Sequence, residues 1–103
     1  YGKIQSEHNQ ILEQAKTLEN LGVDIILLEC VDKELSQLIT KSTNIPVIGI
    51  GSGKNCNGQV QVLYDIIGIS AKAPKFSKNY LKDSSSIIEA IKKFHDYVKS
   101  INK

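Results

Sequence analysis

Glu29 is the residue of this sequence with the strongest case for chemistry. It directly follows residues 23–28, a largely apolar run in which Asp24 is the one polar residue. Burying an unpaired carboxylate is costly, so Glu29 needs water, a partner or a functional role. A carboxylate fixed at a strand end can act as a general base. The alternative is structural, with the Glu29 side chain capping the helix that begins near Asp32, and the pattern alone favours neither.

A glycine-rich loop follows the next apolar run and suggests nucleotide binding at first sight. Gly49, Gly51 and Gly53 are spaced G-x-G-x-G. The dinucleotide fingerprint G-x-G-x-x-G is not matched, because Lys54 stands at its third glycine position. The phosphate loop G-x-x-x-x-G-K-[ST] is not matched either, because Gly53-Lys54 is followed by Asn55 and not by Ser or Thr. A tight turn after a parallel strand explains the glycines, and nucleotide binding is not expected.

The other reactive side chains are sparse. His8 and His95 fall on predicted helices as surface residues, and Asp65 either lines the face that carries Glu29 or caps a helix. Cys30 and Cys56 form no C-x-x-C pair and have no zinc-ligand spacing. We predict no metal site within these residues and find no arrangement typical of a nucleophilic triad.

Alternating helices and strands must position these residues. Apolar periodicity and turn residues predict helices over 6–21, 32–42 and 86–101, strands over 23–28 and 45–50, and either a third strand over 60–64 or a short helix reaching 67. Such alternation indicates an α/β fold with parallel strands. So few strands would leave unpaired sheet edges. Together with a first residue other than Met, this favours a segment of a larger sheet or barrel.

The last helix has the clearest signals. Ser86 and Glu89 match a capping box. An apolar stripe then follows at helical spacing and comprises Ile87, Ile91, Phe94, Val98 and Ile101.

Composition narrows the class of protein. The 103 residues are 41% hydrophobic and carry a net charge of +2, which is typical of a globular domain and too small to indicate nucleic-acid binding. A lysine group between residues 72 and 82 is interpreted as a solvated face. No signal peptide is visible, and no apolar run reaches the roughly 18 residues of a membrane span. We therefore expect a cytoplasmic protein with free thiols.

Several separated motifs resemble, in order, those of the ketopantoate hydroxymethyltransferases. They are Leu27-Leu28-Glu29-Cys30-Val31, Ile45-Pro46-Val47-Ile48-Gly49-Ile50-Gly51-Ser52-Gly53, Gly58-Gln59-Val60, Asp65, Gly68 and Pro74-Lys75-Phe76. The resemblance covers nearly the whole chain. It implies that residues 1–103 are one segment, the C-terminal half of a (β/α)8 barrel with about strands six to eight and their helices.

The resemblance also implies a reaction. The family moves a hydroxymethyl group from 5,10-methylenetetrahydrofolate to 3-methyl-2-oxobutanoate, with Mg²⁺ holding the keto acid. Glu29 maps to the general base, and Ile50, Val60 and Val62 map to apolar positions that line the pocket. The Mg²⁺ ligands are expected in the absent N-terminal half, so this fragment alone should be inactive. The full-length protein is expected to be a homo-oligomer that binds neither nucleic acid nor membrane.

Three residues depart from the family pattern. Asn57 replaces Asp, Tyr64 replaces His, and Ser52 replaces Ala. The change at Asn57 puts a supporting hydrogen bond or salt bridge near the pocket in doubt. Two other interpretations stay open. One is a non-catalytic half-barrel that self-associates through its sheet edges and the stripe of the last helix; the other, disfavoured by the glycine pattern, is a small phosphate-binding module.

Overall fold

The computed structural model describes residues 1–69 and 73–101. They form two compact units, Tyr1–Val60 and Gln61–Ile101. The first contains α1 (Gln5–Asn20), β1 (Ile26–Glu29), α2 (Lys33–Ser42), β2 (Val47–Ile50) and β3 (Gly58–Gln59). The second contains α3 (Leu63–Ile66), a 3₁₀ helix (Leu81–Asp83) and α4 (Ile87–Ile101).

The first unit is built on a parallel sheet in the order β1-β2-β3. This confirms the predicted α/β class with parallel strands. Of the two predictions for the residues after 60, the strand over 60–64 is wrong and the short helix is confirmed as α3, while the third strand lies earlier, at Gly58–Gln59. A Cβ at Gly58 would lie 2.9 Å from Ile48 Cδ1, so a larger residue there would require the end of the Ile48 side chain to move.

The core of the first unit lies on one face of the sheet. Leu35 and Ile39 of α2 are fully buried and share a cluster with Ile26, Leu28 and Val47. Asp32 begins α2 as predicted, because its carboxylate accepts the N–H groups of the first turn. Because successive side chains of a strand point to opposite faces, the residues that alternate with these buried ones point to the other face of the sheet.

The opposite face of the sheet is uncovered within this unit. Leu27 is 59% exposed and Glu29 is exposed, while Ile48 and Ile50 are half-buried. Leu27 pairs with Ile48 and Glu29 with Ile50, so these side chains share one face. Parallel sheets are ordinarily covered on both faces, and this one presents apolar side chains with a single carboxylate among them.

Tyr1 also joins the end of β1. Its backbone nitrogen donates to the Cys30 carbonyl at 2.7 Å, and its carbonyl accepts from the Asp32 N–H at 2.6 Å. Two such bonds on either side of Val31 are the pattern of a parallel ladder. The chain at Tyr1 is therefore aligned as a parallel neighbour of the residues that follow Glu29.

The second unit has a smaller core made by helices. Ile66, Ile67, Tyr80 and Ala90 are buried, and the rings of Tyr80 and Phe94 meet edge to face with centroids 5.8 Å apart. The buried residue of α4 is Ala90, which is not a member of the predicted apolar stripe. Ala90 takes the central buried position because its small side chain permits close packing. Two members of the predicted stripe stay substantially exposed, Ile87 at 50% and Ile91 at 42%.

The start of α4 is capped almost as the sequence predicts. The Ser86 hydroxyl accepts the Glu89 N–H at 3.1 Å. The Glu89 carboxylate reaches back one residue further than a capping box requires, to the Ser85 N–H and hydroxyl. The bond to Ser86 gives a partner to the Glu89 N–H, which has none inside the helix, and the bonds to Ser85 tie the preceding chain to the first turn.

Candidate functional site

Glu29 lies at the carboxyl end of β1 with its side chain on the uncovered face. Ile50 lies beside it at the end of β2. The alternative role of Glu29 as the cap of α2 is wrong, because Asp32 provides that cap. No hydrogen bond or ion pair ties the Glu29 carboxylate to another of the described side chains. The carboxylate is thus positioned by its strand and is not committed to a structural bond.

The recess beside Glu29 is apolar. It has a volume of about 220 Å³ and is lined mainly by side chains of α1 and β1, including Ile11, Leu18 and Leu27. A larger depression of about 490 Å³ lies past the strand ends, next to Cys30, Asp32 and Lys33, but Glu29 does not border it. We place the candidate site at Glu29, because volume alone does not indicate chemistry.

The other predicted pocket residues divide between the two units. Ile50 is a direct neighbour of Glu29, and Val60 N–H donates to the Gly49 carbonyl at 2.9 Å just after β3. Val60 is 46% exposed. Val62 precedes α3 in the second unit and is 52% exposed, so its place in the same pocket stays a prediction.

The chain turns sharply immediately after Glu29. Cys30 has a φ of 54°, a left-handed conformation that few non-glycine residues adopt. Its N–H still donates to the Ile50 carbonyl at 2.9 Å. The alternation of the strand is therefore interrupted, so that Glu29 and Cys30 both face outward before Val31 returns to the core.

Ser52 cross-links this turn, a role that the sequence did not suggest. Its side chain is 1% exposed. The hydroxyl donates to the Leu28 carbonyl at 2.9 Å and accepts the Val31 N–H at 3.0 Å. The available signal was a small polar residue between two glycines, a pattern that turn formation explains equally well.

The glycine loop serves packing and turning, as predicted. Gly53 has a φ of 84°, and a Cβ there would lie 2.7 Å from the Lys33 Cβ. Only glycine meets both demands without a shift of the backbone.

The departures at Asn57 and Tyr64 have different structural settings. The Asn57 side-chain oxygen accepts the Val47 N–H at 2.8 Å, and the Asn57 N–H donates to the Val47 carbonyl at 2.8 Å. An amide oxygen thus makes a supporting hydrogen bond at this position. Tyr64 is 59% exposed, and Asp65 is buried inside α3 rather than at its N-cap, which is Val62.

Within 1–69 and 73–101, no three His, Cys, Asp or Glu side chains come together in a group fit to hold a metal ion. Over those ranges, no helix combines the length and apolar character required to cross a bilayer. His8 and His95 lie on α1 and α4, half-buried and exposed respectively.

Comparison with known proteins decides the family. The family model described as ketopantoate hydroxymethyltransferase matches residues 1–102. The chain belongs to the ketopantoate hydroxymethyltransferase family.

Individual relatives agree with this assignment. The chain is 45% identical over 94 residues to 3-methyl-2-oxobutanoate hydroxymethyltransferase of Buchnera aphidicola, covering 90% of this chain and 36% of the relative. It is 46% identical over 99 residues to 3-methyl-2-oxobutanoate hydroxymethyltransferase 2 of Aliivibrio fischeri, covering 95% and 38%. A relative of the same name, from Ignicoccus hospitalis, is 43% identical over 99 residues, covering 96% and 38%. The chain thus spans little more than a third of the length of these ketopantoate hydroxymethyltransferases.

Proposed function

We propose that these residues belong to a full-length transferase that moves a hydroxymethyl group from 5,10-methylenetetrahydrofolate to 3-methyl-2-oxobutanoate. The product would be 2-dehydropantoate, a precursor of pantothenate. Family membership supports the reaction. The observation that carries the role of this segment is the Glu29 carboxylate, which stands at the carboxyl end of a parallel strand without a structural partner among the described residues.

Glu29 would remove the proton from C3 of the keto acid. The electron pair left on C3 delocalises into the adjacent carbonyl as an enolate, and this carbon then bonds to the one-carbon unit. A general base must lie within hydrogen-bond reach of the proton it takes. A strand end holds the carboxylate more rigidly than a loop would, which favours that geometry.

Apolar neighbours would complete the pocket. Ile50 adjoins Glu29 directly, and Val60 and Val62 are proposed to contact the branched side chain of the keto acid. Apolar walls suit a branched aliphatic substrate, because its burial removes apolar surface from water.

The described residues of this chain bring together no donor set for Mg²⁺. We propose that the ligands of any Mg²⁺ ion lie elsewhere in the full-length protein, and no step assigned to Glu29 depends on their geometry. We likewise propose a cytoplasmic homo-oligomer whose ligands are the keto acid and the folate, without nucleic acid or membrane.

A (β/α)8 barrel is the proposed setting of the sheet. Three features support it: all strand pairs are parallel, one sheet face is uncovered, and Tyr1 is aligned as a further parallel neighbour of β1. In such a barrel the uncovered face would be the interior, and the carboxyl strand ends would form the active-site rim.

Deuterium exchange at C3 of 3-methyl-2-oxobutanoate, followed by NMR with the full-length protein, tests the proposal. Glu29→Gln should lower the exchange rate by roughly 100-fold or more, because the amide cannot accept the proton. Glu34→Gln is the matched control, since Glu34 is an exposed carboxylate in the first turn of α2. Exchange that is unchanged in Glu29→Gln would remove the residue from this role. A full-length protein without exchange or transfer activity would favour the non-catalytic interpretation.

A further inference from the structure

Ser52 is a buried polar residue that hydrogen-bonds to the backbone around Glu29, although it lies 23 residues later in the sequence. Its hydroxyl contacts the backbone on both sides of Glu29 and Cys30: the carbonyl of Leu28 before them and the N–H of Val31 after them. One oxygen atom therefore fixes both ends of the four-residue segment that presents the carboxylate.

In this chain the cross-link spans a strained turn. Cys30 has a left-handed backbone, a conformation that costs free energy for a residue with a Cβ and persists only when its surroundings fix it. The Val31 N–H donates to the Ser52 hydroxyl at 3.0 Å. Because Ser52 is 1% exposed, water does not readily replace that hydroxyl.

The cross-link also joins the two strands that carry the predicted site. Ser52 follows β2 by two residues, and a longer contact of 3.4 Å connects its hydroxyl to the Ile50 carbonyl. The Cys30 N–H donates to that same carbonyl. Glu29 and Ile50 are therefore held side by side by ladder bonds and by one buried side chain.

We propose that Ser52 is a positioning residue for the Glu29 carboxylate. It would act on the proton transfer through the backbone of Leu28–Val31 and make no contact with the substrate. This inference rests on the proposed function of Glu29. The family pattern has Ala at this position. In this chain the Ser52 hydroxyl would instead help to hold the base in place.

The test combines Ser52→Ala with Glu29→Gln in the full-length protein and measures C3 deuterium exchange. Ser52→Ala alone should lower the exchange rate roughly tenfold, since small misplacements of a catalytic group have effects of that order or larger. Binding of the keto acid, measured by calorimetry, should stay within about twofold. In the Glu29→Gln background, Ser52→Ala should cause no further loss, because the two changes remove the same step.

Thr43→Val is the matched control. Thr43 is also buried, and its hydroxyl donates to the Ile39 carbonyl at 2.8 Å. It follows α2 and precedes β2, so it lies away from the carboxyl ends of the strands. Its loss should leave exchange within about twofold of the unmodified protein. Ser52→Cys replaces the hydroxyl with a somewhat larger thiol that hydrogen-bonds more weakly, and its rate should lie between those of the serine and alanine forms. If Ser52→Ala does not fold, a Ser52→Cys rate below that of Thr43→Val supports the role, and equal rates contradict it.

Three results would overturn the inference. An unchanged rate in Ser52→Ala, beside a large loss in Glu29→Gln, would refute the positioning role and leave the base intact. Equal losses from Ser52→Ala in both backgrounds would show an effect independent of Glu29. An unchanged rate in Glu29→Gln would refute the assignment of the base, and the role of Ser52 would be rejected with it.

Discussion

The carboxyl strand ends of the first unit and the helical second unit are held by different kinds of hydrogen bond. At the strand ends, Ser52 bonds to Val31 and Leu28 across 21 and 24 residues of sequence. In the second unit, the side-chain bonds at the start of α4 join residues three or four apart, as in Ser86 with Glu89 and Ser85 with Glu89. Long-range polar bonds fix the position of one strand relative to another, whereas local bonds fix only where a helix begins.

The difference indicates where substitutions should disturb the site and where they should disturb only stability. Loss of a core side chain in the first unit removes the support of the sheet that carries Glu29. Loss of packing in the second unit should weaken α4 and its neighbours.

The largest effect on stability is expected at Leu35, which is fully buried beneath the sheet. Leu35→Ala should destabilise the first unit by about 2–5 kcal/mol, through lost apolar burial and the cavity left behind. Native-state hydrogen exchange of the β1 and β2 amides in the full-length protein would measure this loss. Leu38→Ala, on the same helix at 41% exposure, should cost less than about 1 kcal/mol. Equal effects at the two positions would contradict the placement of the core.

An intermediate effect is expected at Phe94 in the second unit. Phe94→Ala removes the edge-to-face contact with Tyr80 and part of the small core. We expect a loss of about 2 kcal/mol, measured as lower amide protection in α4. Tyr97→Ala is the control on the same helix, because Tyr97 is 42% exposed. Similar protection in both variants would show that the aromatic pair does not stabilise the unit.

The smallest effect is the pH dependence of the cap of α4. The side-chain hydrogen bond from Ser85, aided by its backbone N–H, holds the pKa of Glu89 below its ordinary value of 4.5. Because the folded pKa is lowered, the contribution of Glu89 is fully present above 4.5 and is lost as pH falls through the lower value. A side-chain NMR titration should show this shift, and Ser85→Ala should return the pKa toward 4.5. A Glu89 pKa at or above 4.5 would contradict the cap.

Elements with strong local signals were predicted well from the sequence. Asp32 caps α2, the Ser86 hydroxyl caps α4, and β1 and β2 pair in parallel, although both strands begin two or three residues later than predicted. Each of these features depends on residues close in sequence or on a continuous apolar run. The third strand was misplaced, because it pairs with β2 over only Gly58 and Gln59, a stretch too short and polar for apolar periodicity to indicate.

The candidate site was predictable only in part for the same reason. The position of Glu29 at a strand end follows from the apolar run before it, and its neighbour Ile50 follows from the family motifs. The contribution of Ser52 depends on bonds across more than 20 residues, and no local pattern encodes them. The left-handed conformation of Cys30 was equally hidden, since a cysteine carries no preference for it.

The turn at Cys30 offers a practical means of observing this site. The thiol next to Glu29 is exposed, whereas Cys56 is buried and burial raises the pKa of its thiol. Among these residues, a thiol-reactive fluorophore or fluorine label should therefore attach first at Cys30. A spectroscopic reporter could be placed one residue from the proposed base without any change to the sequence.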